Sequence, residues 1–338
     1  MASFDTDKLK NDLETRGYSV VAGVVPTEEC DECIKEFRVW FDKFGKEATI
    51  RRSLIHQYKL SHSSAAWRLR LRAKPVFEAI WETEKLLSST DGIAIGEPPE
   101  QGRTQFSKSD DCWFHIDQGS WRFGLHVYQG AVYMEETTTD DHCFRVLEGS
   151  PQFQRELLET FPEAKKEMGG KDFYILKEEH KKFYLSKGCK EKKVPVPKGG
   201  MVLWDSRTVH DNVAPVEGRP HGDRWRYVSF VCMAPAIWTT EEDLEIKKQA
   251  YKEMRCSAHW PSQGVWLFPS TQQCELTENH NMEMIEKQPE VAKTREVKLL
   301  AGIERYDFND GRPNGPEWEP KWTKDRSAHS TERDAAIV

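Results

Sequence analysis

The apolar positions of this chain keep a helical period at both ends and a strand period in the middle. Over residues 5–16, Leu9 and Leu13 stand four apart, Asp5 or Thr6 is placed to cap the start and Gly17 to end it, which predicts a short amphipathic helix. Residues 18–25 are rich in β-branched side chains and predict a strand. Pro26 and Thr27-Glu28-Glu29 then open a second helix to about residue 44, with Trp40 and Phe41 toward the core. Phe77, Ile80 and Trp81 share a helical face, so a third helix is expected over 76–87.

From about residue 104 the period shortens to two. The segments 112–117, 125–134, 143–147, 194–196, 201–204, 208–212 and 225–234 read as short strands punctuated by Gly and Pro, the pattern of an all-β barrel or double-sheet roll. The Lys/Glu-rich stretch 151–193 reads as a partly helical surface insertion without chemistry of its own. Helical signals return after Trp238, where Thr239-Thr240-Glu241-Glu242-Asp243 caps a helix to about residue 255, and again over 289–301. No linker or internal repeat divides the chain. We therefore expect one domain over residues 1–323: an N-terminal segment of helices and strand (1–103), a β core (104–236) and a C-terminal helical segment (237–323). A structureless polar tail is expected over 324–338.

Charge narrows the range of partners. A formal charge of -7 excludes a nucleic-acid binder that works through a general basic surface. The start of the chain lacks a basic stretch followed by an apolar run, and no segment of about 18 apolar residues occurs, so a cytoplasmic protein without a membrane span is expected. The eight cysteines are irregularly spaced, and Cys30-x-x-Cys33 has no second pair to complete a zinc site. They are read as buried thiols. One segment departs from the acidic average: residues 51–74 hold seven Lys or Arg and no Asp or Glu. This run is either a solvated, salt-bridged face or a cationic wall for an anionic, carboxylate-bearing small molecule, with Arg70 and Arg72 as the candidate substrate contacts.

The candidate chemistry lies in the strand-rich core. His115 and Asp117 are two apart in Trp113-Phe-His-Ile-Asp117, so on a strand both side chains leave the same face. A His-x-acid pair alone is weak, since about two are expected by chance in a chain of this composition. Here Lys198-Gly-Gly-Met-Val-Leu-Trp-Asp-Ser-Arg-Thr-Val-His210 forms a turn and two strand-like segments that can return His210 to the pair. Two histidines and one carboxylate on one face of a metal, with three positions left open, suit non-haem Fe(II) that activates O2; the same residues would also bind Zn(II). An oxygenase using 2-oxoglutarate also needs a fixed cation for the distal carboxylate. Arg226 is the first choice and Arg224, of the same strand parity, the alternative. Gln129 is placed either to donate to a cosubstrate carboxylate or to satisfy barrel backbone.

These residues carry a resemblance. Phe-His-Ile-Asp, Tyr-Gln-Gly-Ala-Val-Tyr, Asp-Asp-x-Cys-Phe-Arg-Val-x-x-Gly-Ser, Trp-Asp-Ser-Arg-Thr-Val-His, Arg-Tyr-Val-Ser-Phe and the N-terminal Gly-Tyr-Ser-Val-Val-Ala-Gly-Val-Val-Pro-Thr-Glu-Glu together resemble the phytanoyl-CoA dioxygenase family over roughly residues 5–236. The resemblance implies a mainly β fold, a double-stranded β-helix (jelly roll, cupin-like) with flanking N- and C-terminal helices. It further implies Fe(II) on His115, Asp117 and His210, 2-oxoglutarate anchored by Arg226, and O2 as co-reactant. Halogenating relatives lack the carboxylate, so Asp117 points to C–H oxidation: hydroxylation by default, with oxidative ring closure or desaturation as variants. The chain departs from the family at Glu148-Gly-Ser-Pro151, where many members have Pro-Gly-Ser-His, and at His142, where a small residue is usual. His142 and Trp113 are therefore counted among the candidate substrate residues. A narrower resemblance, to the algal enzymes that close the kainoid ring, rests on no diagnostic motif. The rival readings are a cupin-like metal protein that has no need of Arg226 and a binding module that has no need of the triad.

Overall fold

A computed structural model describes residues 4–42, 53–56, 58–101, 113–268 and 285–322. Arg51, Arg52, residues 104–112 and the tail 324–338, which the sequence reading also covers, lie outside the described residues. In chain order the elements are α1 (Thr6–Arg16), β1 (Tyr18–Val21), α2 (Thr27–Phe41), β2 (Leu54–Ile55), α3 (Ser64–Trp81), β3 (Leu86–Ser88), β4 (Ile93–Gly96), β5 (His115–Ile116), β6 (Arg122–Phe123), β7 (Tyr128–Tyr133) and β8 (Cys143–Glu148). There follow α4 (Gln154–Thr160), α5 (Pro162–Met168), β9 (Tyr174–Ile175), α6 (Glu178–Ser186), β10 (Lys190–Val194), β11 (Met201–Asp205), β12 (His210–Val213), β13 (Arg226–Pro235), α7 (Glu241–Glu253), α8 (Arg295–Leu300) and β14 (Lys321–Trp322).

The strands form a large antiparallel sheet in the order β1-β11-β7-β13-β4-β2, with β3 also on β13, and a smaller one in the order β10-β8-β12-β5-β9. Together they make a double-stranded β-helix flanked by helices. Between the sheets lies an apolar layer built from Ala94, Ala131, Phe144, Val146, Trp204 and Val228 among others. The outer face of the large sheet is covered by α1, α2 and α3, whose Leu9, Phe37 and Phe77 belong to the largest core cluster. Gly130 on β7 permits that close cover: a Cβ there would lie 3.0 Å from the Val231 carbonyl and 3.3 Å from the Phe77 ring.

Local signals explain where the helices begin. Asp5 caps α1 by accepting from the Lys8 N–H, and Gly17 closes it in the left-handed conformation at φ +84°. Thr240 caps α7 in the same way through the Asp243 N–H. The third helix departs from the sequence reading. It runs over Ser64–Trp81, with Pro75 inside it, and the stretch expected to continue it to residue 87 is instead strand β3. Apolar cover outweighs the missing proline N–H here: Trp67, Leu69, Ala73, Phe77 and Trp81 on α3 are all buried. The insertion 151–193 also departs from expectation. It holds three short helices, and its strand β9 pairs with β5, so that Ile175 stands opposite His115.

A buried cation pins the C-terminal segment onto the barrel. The Arg122 guanidinium lies 3.3 Å from the Trp260 ring centroid, 4.1 Å from Trp121 and 4.3 Å from Trp322, and donates to both oxygens of Asp172 at 2.9 and 3.0 Å. Arg122 is 2% exposed, so its charge depends on this one carboxylate and three aromatic faces. Asp172→Ala is expected to cost about 3–5 kcal/mol by leaving that cation unpaired. Urea unfolding followed by far-UV circular dichroism measures it; a loss under about 1 kcal/mol would show that the aromatic faces suffice.

Candidate active site

Strands β5 and β12 run antiparallel with His115 opposite His210, which brings together two residues far apart in sequence. Asp117, two residues beyond His115, completes the group. Its Oδ1 lies 3.6 Å from His115 Nε2 and its Oδ2 3.4 Å from His210 Nε2, and the three ligand atoms all fall within 4.8 Å of one another. The imidazole centroids are 4.2 Å apart.

The hydrogen bonds behind these rings set their chemistry. His115 Nδ1 faces the Trp113 carbonyl at 3.2 Å and His210 Nδ1 faces the Thr208 carbonyl at 2.9 Å. A carbonyl only accepts, so each Nδ1 carries the ring proton and donates it. Each Nε2 is therefore left as a lone-pair donor turned toward Asp117. The carboxylate is fixed too: Gln129 Nε2 donates to Asp117 Oδ2 at 3.1 Å, and the ring of His259 donates from Nε2 to the Asp117 backbone carbonyl at 3.1 Å. Burial alone would raise the Asp117 carboxyl; without a metal, positive charge on the neighbouring His115 and His210 rings holds it well below the usual carboxylate range, a role that a bound cation would take over from neutral rings. This donor set, two neutral imidazole nitrogens and one ionised carboxylate on one side, fits a divalent metal with the opposite side open.

A second polar group lies deeper, on β13. Arg226 is 3% exposed and stands opposite Gly96, where a Cβ would come within 3.3 Å of its own. Its Nη1 donates to Ser53 Oγ and its Nη2 to Asn212 Oδ1, each at 3.1 Å, while the buried Nε has no partner. Burial lowers the Arg226 pKa, opposed by the neighbouring Tyr133 hydroxyl. A guanidinium buried among neutral oxygens, with no protein carboxylate paired to it, fits an anchor for a ligand carboxylate.

Other sequence candidates fall elsewhere. Arg224 belongs to a surface network, donating to Asp141 at 2.8 Å and Glu136 at 3.2 Å beside Arg219 and Glu100. Gln129 spends its amide on Asp117. Arg70 is buried, and its guanidinium donates to the backbone carbonyls of Ser61 at 2.5 Å and Asp91 at 3.1 Å. Arg72 is paired with Glu29 at 2.8 Å, Arg68 with Glu32 at 2.8 Å, and Lys74 with Glu78 at 2.6 Å. Of the cationic wall expected over 51–74, Arg68, Arg70, Arg72 and Lys74 are thus taken up by ion pairs and carbonyl bonds, with the acids supplied by α2, α3 and α8. Trp113 stacks on His115 with centroids 4.6 Å apart and donates from Nε1 to the Asn212 carbonyl, so it braces the metal-facing strand pair. His142 is buried with Nδ1 3.2 Å from the Val213 carbonyl. The residues that sequence reasoning missed are Ser53, His56, Asp91, Asn212 and His259. Only Asn212, two residues past His210 and so of the same strand parity, carried a signal that could have found it.

Similarity to known proteins follows the same outline. A curated relative, the Ava biosynthesis cluster protein O of Aspergillus versicolor, is 26% identical over 289 residues, covering 79% of this chain and 89% of its own. GlcNAc Inducible Gene 2 (DUF1479) from Candida albicans shares the fold with a TM-score of 0.63 at 14% identity, covering 91% of this chain and 78% of that one. EctD from S. alaskensis, solved with 2-oxoglutarate and 5-hydroxyectoine, aligns with a TM-score of 0.48 at 11% identity over 69% of this chain and 77% of its own. No helix among the described residues is long and apolar enough to cross a membrane. The family model described as phytanoyl-CoA dioxygenase (PhyH) matches residues 13–212, more than half of the chain and all three candidate ligands. The protein therefore belongs to the phytanoyl-CoA dioxygenase family, whose enzymes use Fe(II), 2-oxoglutarate and O2.

Proposed function

We propose that this protein is a dioxygenase that oxidises an unactivated C–H bond of a small organic molecule, with hydroxylation as the outcome. His115, Asp117 and His210 would hold Fe(II), and Arg226, helped by Ser53 and Asn212, would hold the distal carboxylate of 2-oxoglutarate. The observation that carries this reading is the pairing of two incomplete sites: a cluster of three donors able to hold a metal ion, and a buried guanidinium for which the described residues offer no counter-ion. With both groups bound, the metal and cosubstrate supply an oxidant from O2 that removes a hydrogen atom, leaving succinate and CO2 as coproducts.

The chain's own contribution is positional. The Nδ1–H bonds to Trp113 and Thr208 keep both imidazoles in the tautomer that presents Nε2, and Gln129 holds the carboxylate between them. The apolar layer around Phe144 and Trp204, whose rings pack against His210, keeps water from that side of the cluster. A cupin-like protein without a keto-acid cosubstrate would have no use for a buried, unpaired Arg226, and this favours the oxygenase reading over that rival.

In anaerobically purified protein given Fe(II), 2-oxoglutarate and then O2, slow uncoupled succinate formation is expected from the wild type. His210→Ala should abolish it. Arg226→Ala should raise the KM for 2-oxoglutarate about 100-fold, the scale of losing a buried charge-assisted pair, with Fe(II) affinity unchanged. Equal succinate from all three proteins, or none from the wild type, would sink the proposal. A separate titration addresses Gln129. Gln129→Leu is expected to weaken Fe(II) binding about 10- to 100-fold while far-UV circular dichroism stays the same, because Asp117 loses its only side-chain amide donor.

A further inference from the structure

The wall of the site formed by His56, Asp91, His259 and Phe268 is left unused by the chemistry above. Asp91 follows strand β3 in the turn to β4. The preceding Ser89 donates its N–H to the carbonyl of Cys232, and Cys232 stands opposite Gln129, the residue that holds Asp117. The charges of Asp91 and Asp117 both push the Cys232 thiol up. Asp91 is thus a second carboxyl beside the metal cluster.

Its bonding is incomplete. Asp91 Oδ1 accepts from the Gly92 N–H at 2.6 Å, and among the described residues no other donor reaches the carboxyl. Arg70 is the nearest cation, yet it bonds the Asp91 backbone carbonyl and the Ser61 carbonyl instead of the carboxylate. Lys247, whose pKa burial lowers to about 7, donates to the Ser88 carbonyl at 2.6 Å. Burial pushes the Asp91 carboxyl up to about 7, opposed by the Gly92 N–H and Arg70 and reinforced by Asp117. A half-buried carboxyl that keeps one oxygen free while the nearest cation spends both its Nη atoms on backbone carbonyls is costly unless a ligand completes it.

The neighbours indicate what kind of ligand that is. The His56 ring packs against the backbone of Gly92, where a Cβ would lie 2.8 Å from its Cδ2, and stacks on Phe268 with centroids 4.0 Å apart at 12°. Burial lowers its pKa to about 4, so it is neutral at pH 7. His259 donates through Nε2 to the Asp117 carbonyl, which leaves its Nδ1 as an acceptor. This wall therefore offers a carboxyl, an acceptor nitrogen and an aromatic face, and its nearest cation, Arg70, spends both Nη atoms on backbone carbonyls. Such a surface repels carboxylates and completes its hydrogen bonds with a positively charged nitrogen.

We propose that Asp91 is the substrate-recognition carboxylate of this enzyme and that the substrate presents a protonated amine to it, beside an apolar group that lies against His56 and Phe268. This rests on the oxygenase reading of the site, and it replaces the anionic substrate expected from residues 51–74. His259 and Phe268 lie beyond the segment that matches the family, while His56 and Asp91 lie within it, so the C-terminal segment completes this wall.

Isothermal titration of the full-length protein, held anaerobically with Fe(II) and 2-oxoglutarate, tests it with three probes of matched shape: 3-phenylpropylammonium, 3-phenylpropan-1-ol and 3-phenylpropionate. The wild type is expected to bind the ammonium at least about tenfold tighter than the alcohol or the acid, the scale of one hydrogen bond to a charged group. Asp91→Asn should remove that preference and leave the affinity for the alcohol within about twofold. Equal affinity for the three probes, no binding of the ammonium by wild type, or a preference that survives in Asp91→Asn each overturns the proposal; the wild-type ranking alone decides it should the variant fail to fold. Succinate formation by wild type is read in parallel. An Asp91-dependent ammonium preference in a protein that makes no succinate would support Asp91 while removing the oxygenase reading, and succinate without that preference would do the reverse.

Discussion

The structure turns on keeping the Asp117 carboxylate ionised inside a barrel whose neighbouring layer is apolar. A carboxylate in such a place is stable only if its surroundings supply positive or hydrogen-bonding groups at fixed positions, because desolvation otherwise drives it neutral. Here Gln129 on the opposite sheet donates to the carboxylate, His115 on its own strand and His210 on the paired strand set their Nε2 atoms against it where a bound cation would neutralise it, and His259 of the C-terminal segment fixes its backbone carbonyl. Each depends on a feature of the fold. The His115–His210 register needs β5 and β12 antiparallel, and Gln129 reaches Asp117 only because the large sheet curls over the small one. The antiparallel two-sheet fold is thus what makes a buried two-histidine, one-carboxylate cluster stable.

Arg226 poses the mirror problem. It is a buried cation satisfied by neutral oxygens of Ser53 and Asn212, with its Nε left over. A protein selected for stability alone would pair it with a carboxylate or replace it with an apolar side chain of similar volume. Arg122 shows the first solution in the same molecule, with both oxygens of Asp172 on one guanidinium and three indole faces around it. The two arginines contrast: Arg122 is completed by a carboxylate, while Arg226 keeps a buried Nε without a partner among the described residues, which is what supports reading it as a ligand anchor.

The three-donor cluster and the buried Arg226 are legible in the sequence because strand parity and turn chemistry are local. His115 and Asp117 are two apart, His210 follows a Gly-Gly turn and a tight Asp-Ser-Arg-Thr connection, and Arg226 opens a long β-branched strand. The third helix is obscured for an equally local reason: Pro75 reads as a boundary, and basic residues at alternate positions 68, 70, 72 and 74 hide the buried face that Trp67, Leu69, Ala73 and Phe77 form. What is not legible depends on partners distant in sequence. The acids that neutralise Arg68 and Arg72 are on α2, so the run taken alone looks like a free cationic surface. His56, Asp91 and His259 each sit in ordinary local sequence and acquire meaning only where β4, the 255–268 segment and Asp117 meet.

That division also assigns chemistry and specificity to different regions of the chain. The three metal-facing residues fall within the family-matched segment, on strands whose register the fold imposes. The outer wall is shared: His56 and Asp91 fall within it, His259 and Phe268 beyond it. Thr90 donates its N–H to Ser257 Oγ and its hydroxyl to the Arg255 carbonyl, while Ser257 returns its N–H to the Thr90 carbonyl, so the post-helical segment is stitched to the turn that carries Asp91. Phe268 donates its N–H to the Cys256 carbonyl, which folds the same segment back so that its ring meets His56. A change in this segment moves His259, Phe268 and Asp91 together and reaches Asp117 through the His259 bond to its carbonyl. The register that sets His115 opposite His210 lies on other strands, and a charge that faces the substrate has to be sought where the C-terminal segment closes on the barrel, not in the most basic stretch of the sequence.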